Sequence, residues 1–281
     1  MTKPARHHTT SPLHILAFLC VLLPASASPA EELVFEGTVE VRETAVLSAG
    51  TDGQLTEILF QGGELVSAGQ ALMRQDTRAL DINVQMAEAQ LKAADAQLAA
   101  ARQRATRLTT LSERNVASDA SLEDATALLA AAEARRLIAA AQVRQAELEL
   151  EKATIRAPIT GIISRPSAAL GAFLEAEAGP PLARIVQLDP LLVAYQVPYE
   201  TRLATLRAAG AKTLEALFPR LSLTITLKSG ETVAQGLTPE FASATVEEAS
   251  GALTVFAVVP NPDRILRPGM SVTVTADLQQ D

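Results

Sequence analysis

The sequence predicts an α+β chain, elongated and multidomain, in which a small β-sandwich is split by a long antiparallel helical hairpin and followed by a second β-domain. Three observations predict it. A glycine-centred motif occurs twice, a heptad-patterned segment free of Gly and Pro separates the two copies, and the last third carries short apolar runs of period two.

The N-terminus reads as an address. Lys3 and Arg6 precede an apolar run from Leu13 to Leu23, Pro24 ends it, and Ala25-Ser26-Ala27 supplies small residues for cleavage. Residues 1–27 therefore read as a secretory signal peptide. As a helix the run covers ~16 Å, about half a bilayer core, which is short for an anchor. The expected product is exported and soluble, and periplasmic in a Gram-negative cell.

The repeat comes next. Ala49-Gly50-Thr51-Asp52-Gly53 is followed by Gln54-Leu55, and Ala157-Pro158-Ile159-Thr160-Gly161 by Ile162-Ile163. Further glycines follow, Gly63 with Gly171 at the same spacing and Gly69 with Gly179 at a spacing that differs by two, each before apolar residues. Glycines at Gly53, Gly63, Gly69, Gly161 and Gly171 are read as turns with positive φ between short strands such as 54–60 and 161–164. Each copy reads as a small meander, and neither buries its apolar face alone, so the two are expected to pack into one sandwich.

Between the copies, 76–152 contains no Gly or Pro and is more than a quarter Ala. Heptads run from Leu80, Val84 and Ala87 to Leu108 on one arm, and from Leu122, Ala125 and Leu129 to Ala153 on the other, with Arg136 in one seam slot. Alternating Leu with Ala lets two helices approach closely. Asn115-Val116-Ala117 breaks the pattern, and Ser118 with Asp119 is a good N-cap for the return helix. Arms of ~35–38 residues extend ~52–57 Å. Insertion between two halves of one domain requires the segment to start and finish side by side, which a hairpin does.

The last third reads as β. Pro190–Pro198 alternates around Leu192, Ala194 and Gln196; Leu221–Leu227 is a clean period-two strand; Leu253–Val259 and Ser271–Ala276 follow. Pro268 and Gly269 occupy the centre of a type II turn, and a short helix is expected over Glu200–Ala209.

Composition narrows the function. The 281 residues carry 24 basic and 32 acidic side chains, net −8, and 3% aromatics. The histidines, His7, His8 and His14, and the cysteine, Cys20, all lie in the leader. The mature chain thus lacks the residues for a Cys/His zinc site, a Ser-His-Asp or Cys-His mechanism, or a disulfide. No carboxylate pair stands out; Glu247-Glu248 reads as a solvated loop. An acidic, aromatic-poor chain also lacks a nucleic-acid footprint.

Taken in order, Gly-Gln-Leu-Thr-Glu-Ile (53–58), Gly-Glu-Leu-Val-Ser-Ala-Gly-Gln-Ala-Leu (63–72), the heptads, Ile-Arg-Ala-Pro-Ile-Thr-Gly-Ile-Ile (155–163) and Leu-Arg-Pro-Gly-Met (266–270) resemble the periplasmic adaptor, or membrane fusion protein, family of bacterial tripartite efflux pumps, the HlyD and RND adaptor group. The resemblance implies a lipoyl-like β-sandwich in halves 44–75 and 153–188, a coiled-coil hairpin over 76–152, and a small β-barrel domain from 33–43 and 189–277. It implies no cofactor, since the carrier lysine of true lipoyl domains is replaced by Gln75-Asp76 and the insertion. The implied function is to bridge an inner-membrane transporter of RND type to a TolC-like outer-membrane channel, as a ring of six copies, without catalysis.

Family adaptors that engage such a channel carry Arg-x3-Leu-x6-Ser at the hairpin tip, and Arg107, Leu111 and Ser118 match in residue and spacing. Each also has an ordinary reading, as a solvated charge, a seam residue and an N-cap. Full-length RND adaptors continue past Leu-Arg-Pro-Gly-Met into a membrane-proximal domain. Here that domain is expected to be absent or vestigial, which leaves the class of pump open and attachment to the inner membrane dependent on protein contacts. The competing reading is a periplasmic solute- or metal-binding accessory protein. The methionines expected in the mature chain, Met73, Met86 and Met270, fall in three different predicted segments.

Overall fold

The computed structural model describes Thr2 and residues 33–279, apart from 177 and 249. The segment read as a signal peptide therefore lies outside the described residues. In chain order the elements are β1 (Leu33–Glu40), β2 (Thr44–Leu47), β3 (Gly53–Ile58), β4 (Leu65–Val66), β5 (Ala71–Gln75), α1 (Arg78–Glu113), α2 (Asp119–Lys152), β6 (Thr154–Arg156), β7 (Gly161–Ile163), β8 (Phe173–Leu174) and β9 (Ala183–Val186). There follow β10 (Leu191–Pro198), α3 (Tyr199–Ala208), α4 (Leu214–Leu217), a 3-10 turn (Phe218–Arg220), β11 (Leu221–Leu227), β12 (Thr232–Leu237), β13 (Pro239–Val246), β14 (Ala252–Val259) and β15 (Ser271–Leu278).

The two repeat copies do not fold as the separate meanders that the sequence predicts. They exchange strands. One four-stranded sheet has the order β2-β9-β7-β4 and the other β6-β5-β3-β8, so each takes two strands from each copy. Matching Gly53 to Gly161 turns one order into the other, which makes the repeat a pseudo-twofold axis. The match reaches single hydrogen bonds. Gly63 N–H donates to the Ile163 carbonyl, and Gly171 N–H to the Leu55 carbonyl, both at 2.8 Å. Leu55, Val66, Leu72, Met73, Ile163, Leu182 and Ile185 fill the shared core and are essentially inaccessible to water. Exchange supplies what a meander lacks, a second apolar layer and partners for its edge strands.

The glycine reading is corrected at two positions. Gly63, Gly69, Gly171 and Gly269 have φ between +82° and +89°, whereas Gly53 and Gly161 are absent from the positive-φ residues and open strands β3 and β7. At Gly161 the requirement is space: a Cβ would sit 2.4 Å from the Val186 carbonyl oxygen. At Gly53 it would meet the Gln75 side chain at an ordinary 3.5 Å.

The hairpin grows out of adjacent strands. β5 runs into α1, α2 runs into β6, and β5 pairs with β6 through Met73 and Ile155. Sheet pairing thus holds the two helix ends together. Along the seam Ala87, Ala94, Ala105, Ala125, Ala132 and Ala139 are buried, while Leu80, Leu91, Leu98, Leu122, Leu129 and Leu150 are half-buried. Small residues sit within the gap between helices, and larger ones overhang it into water. Arg136, the exception in the heptads, turns outward and donates from Nε to Asp95 across the hairpin at 3.0 Å.

The C-terminal residues and β1 form one curled seven-stranded sheet, β12-β11-β15-β1-β10-β14-β13. β1 lies between β10 and β15, so a strand from before the sandwich completes a domain that follows it. The alternation read for β10 does not carry through to burial. Leu191 to Tyr195 are all buried, with Leu191, Val193 and Tyr195 pointing into the main core. Burial pushes the Tyr195 hydroxyl well above its ordinary range and keeps it neutral. β12 and β13 are not legible in the sequence, because Gly236 and polar residues blur their alternation. At the joint with the sandwich, the buried Asn261 amide donates to the Leu188 and Leu266 carbonyls at 2.8 and 3.0 Å, and its Oδ1 accepts from Leu266 N–H at 3.0 Å. A half-exposed pair, Arg42 with Glu240 at 3.0 Å, ties the other crossing strand.

Candidate functional site

The candidate residues gather around the hairpin turn. Asn115 has φ +57°, the left-handed conformation that Asn tolerates better than most residues. Val116 N–H then donates to the Leu111 carbonyl and Asn115 N–H to the Ser112 carbonyl, both at 2.9 Å. This is a Schellman arrangement with Asn in the usual glycine place. It satisfies carbonyls that the end of α1 would otherwise leave unpaired. Asn115 is legible in the sequence only as a break in the heptads; its role as the left-handed C′ residue is the missed signal.

Leu111 is thus fixed through its backbone at the C-terminal end of α1, with its side chain half-buried. Arg107 lies one turn earlier on the same face and is exposed. Its guanidinium makes no ion pair among the described residues. Ser118 caps α2, its Oγ accepting from Ser121 N–H at 3.2 Å and lying 2.8 Å from Ser121 Oγ. Between the helices Val116 is 71% exposed, an apolar side chain at the apex that the heptad pattern does not single out. The tip is therefore a tightly hydrogen-bonded turn presenting an apolar apex, a cation and hydroxyls.

The other singled-out residues lie elsewhere. Gly53, Gly63, Gly69, Gly161 and Gly171 belong to the sandwich. Pro268 and Gly269 form a turn closed by Met270 N–H on the Arg267 carbonyl at 3.1 Å. Met73 is in the sandwich core, Met86 is exposed on α1, and Met270 packs against the barrel core. Among the described residues no three His, Cys, Asp or Glu side chains converge as a metal site. No described helix is long and apolar enough to cross a membrane.

At the base of the hairpin Asp76 precedes α1 and accepts from Arg78, at 3.0 Å from both the backbone N–H and Nε. Those side-chain and backbone hydrogen bonds hold its carboxyl down to about 2.

A strand-exchanged sandwich carrying an inserted hairpin, beside a β-barrel completed by an N-terminal strand, defines an elongated scaffold that presents its tip far from its body. Comparison with known proteins places it. Residues 43–187 match the model for the RND MFP barrel-sandwich hybrid domain, and residues 190–280 that for the RND MFP beta-barrel domain. The chain belongs to the RND membrane fusion protein family. It is 28% identical over 256 residues to the multidrug resistance protein MdtE of Escherichia coli K12, covering 91% of this chain and 66% of MdtE. It is 30% identical over 237 residues to a toluene efflux pump periplasmic linker protein, TtgA, of Pseudomonas putida, covering 84% of this chain and 58% of TtgA. The chain thus spans less than two thirds of the length of these relatives. The membrane fusion protein Spr0693 of Streptococcus pneumoniae has a similar fold, with a TM-score of 0.62 at 20% identity, over 88% of this chain and all of that one.

Proposed function

We propose that this protein is a periplasmic adaptor that joins an inner-membrane transporter of RND type to a TolC-like outer-membrane channel, for the efflux of small molecules. The observation that carries the reading is the hairpin's place in the fold. Its ends are clamped by the β5–β6 pair, and its tip stands ~50 Å away. There Arg107, Leu111 and Ser118 surround a rigid turn. The family, and relatives whose names are those of efflux proteins, support the same reading.

In this mechanism the chain acts through contacts and has no catalytic step. Residues 1–27 direct export and are removed. The sandwich halves, 44–75 and 153–188, line a ring of six copies around the conduit. The barrel domain, 33–43 with 189–277, faces the pump. The hairpin, 76–152, reaches the channel. At the tip, Leu111 packs against the channel's helical end, Arg107 pairs with its carbonyl or carboxylate oxygens, and Ser118 exchanges hydrogen bonds with it. Attachment to the inner membrane rests on protein contacts.

Cysteines placed at Leu111 or Ser118 are expected to crosslink to the channel in cells, and Leu111→Asp is expected to abolish efflux while the sandwich stays folded. Normal efflux with Leu111→Asp, or no crosslink from a hairpin shown to be folded, overturns the docking assignment.

A further inference from the structure

We propose that Val116 is a further contact residue of the hairpin tip, an apolar anchor for the channel, and that Asn115 is the residue that positions it. Both lie outside the set of Arg107, Leu111 and Ser118, and their role rests on the adaptor reading above.

Five residues, Arg114 to Ser118, join α1 to α2. Val116 is the one large apolar side chain among them. It is 71% exposed, while Ala117 beside it is half-buried. A turn in water is ordinarily made from Gly, Pro, Asn, Asp or Ser, so the fold of the turn does not call for a valine. The local motif does not use it up either. In a Schellman ending the residue after the left-handed one commonly packs against the helix residue whose carbonyl it bonds. That pair is Val116 and Leu111, and both are apolar. Leu111 is half-buried, yet most of the Val116 surface stays in water. The seam leaves it out as well, because it falls in the break between the two heptad runs.

The backbone that carries this side chain is fixed on both sides. Asn115 N–H and Val116 N–H hold the carbonyls of Ser112 and Leu111, and Ala117 N–H reaches the same Leu111 oxygen at 3.4 Å. After it, Ser118 is tied to Ser121 through both backbone and hydroxyl. The first three bonds depend on the φ of +57° at Asn115, which turns the chain back onto the end of α1. A β-branched side chain also has few rotamers to lose. The tip thus holds an apolar group in water on a backbone that is already ordered. Binding there removes apolar surface from water and gives up little conformational freedom. The occupant that fits is an apolar recess in the helical end of the channel, as wide as an isopropyl group and next to the surface met by Leu111. Asn115 acts through its backbone, by setting where Val116 stands.

The test uses the full-length protein in cells containing the channel to which Leu111→Cys or Ser118→Cys crosslinks, and reads how much of that channel co-purifies with the adaptor. Val116→Thr keeps the shape of the side chain and adds a hydroxyl, and is expected to lower the yield several-fold. Asn115→Ala is disfavoured in the left-handed conformation and is expected to lower it several-fold, whereas Asn115→Gly accepts that conformation and is expected to stay within twofold of the wild type. Helicity by circular dichroism is expected to be unchanged in all three. A wild-type yield with Val116→Thr, while Leu111→Asp loses the channel, overturns the anchor and leaves the docking reading standing. Equal losses with Asn115→Ala and Asn115→Gly overturn the positioning role. A loss with Val116→Thr while Leu111→Asp keeps the channel supports the anchor and overturns the role given to Leu111. Absence of any channel crosslinked to either cysteine overturns the docking reading and the anchor with it.

Discussion

The sandwich and the hairpin use similar aliphatic residues to opposite effect. In the sandwich Leu72, Val66 and Ile185 are fully buried, because exchanged strands bring a second sheet over each apolar face. In the hairpin only alanines are buried in the seam, and leucines such as Leu98 keep a flank in water. Two helices have no third layer. The sandwich is therefore closed by its own chain, while the hairpin is left with apolar edges. The difference teaches where this molecule keeps its stability and where it keeps its contact surface.

Substitutions sharpen that contrast. Leu72→Ala is expected to cost about 2–5 kcal/mol, since it opens a cavity in a closed core, whereas Leu98→Ala is expected to cost about 1 kcal/mol. Urea unfolding read by circular dichroism measures both, and equal losses would break the comparison. Within the sandwich, Gly161→Ala is expected to cost about 1–3 kcal/mol, because its Cβ meets backbone, while the repeat-equivalent Gly53→Ala stays within about 0.5 kcal/mol. A large loss at Gly53 would mean that the pseudo-twofold governs packing at that pair, which its contacts contradict. In the hairpin, Ser118→Ala removes the cap of α2 and is expected to cost about 1 kcal/mol, seen as faster amide exchange near the tip with the sandwich unchanged.

The smallest effect is at the hairpin base. The Asp76 carboxyl is held down to about 2 by Arg78, so its contribution is complete above its ordinary value near 3.8 and is lost as the pH falls through about 2. Helicity is expected to fall slightly over that interval, and Asp76→Asn to lower it at neutral pH and flatten the dependence. An unchanged profile in Asp76→Asn would assign the acid sensitivity to other carboxylates.

Legibility followed range. The heptads, the Ser118 cap and the Pro268-Gly269 turn were readable because each depends on residues within a few positions of one another. The candidate tip residues were placed together for the same reason, since one short turn joins their helices. Pairing was not readable. Nothing in Leu55 or Ile163 marks that one bonds to the loop beside the other's repeat, and nothing in Leu192 announces burial on both faces of β10. The space demanded at Gly161 depends on Val186, which only the closed sheet brings near.

By itself, then, the sequence determined the repeat, the inserted hairpin with its seam, and the absence of His, Cys and Trp after residue 20, because these are matters of period and composition. The tertiary structure alone decided that the repeat copies exchange strands, that β1 completes a domain far along the chain, and that β5 pairs with β6 to hold the ends of the hairpin together. The physical reason is that a strand satisfies its hydrogen bonds with whichever neighbour covers its apolar face, and that neighbour is chosen by the whole fold.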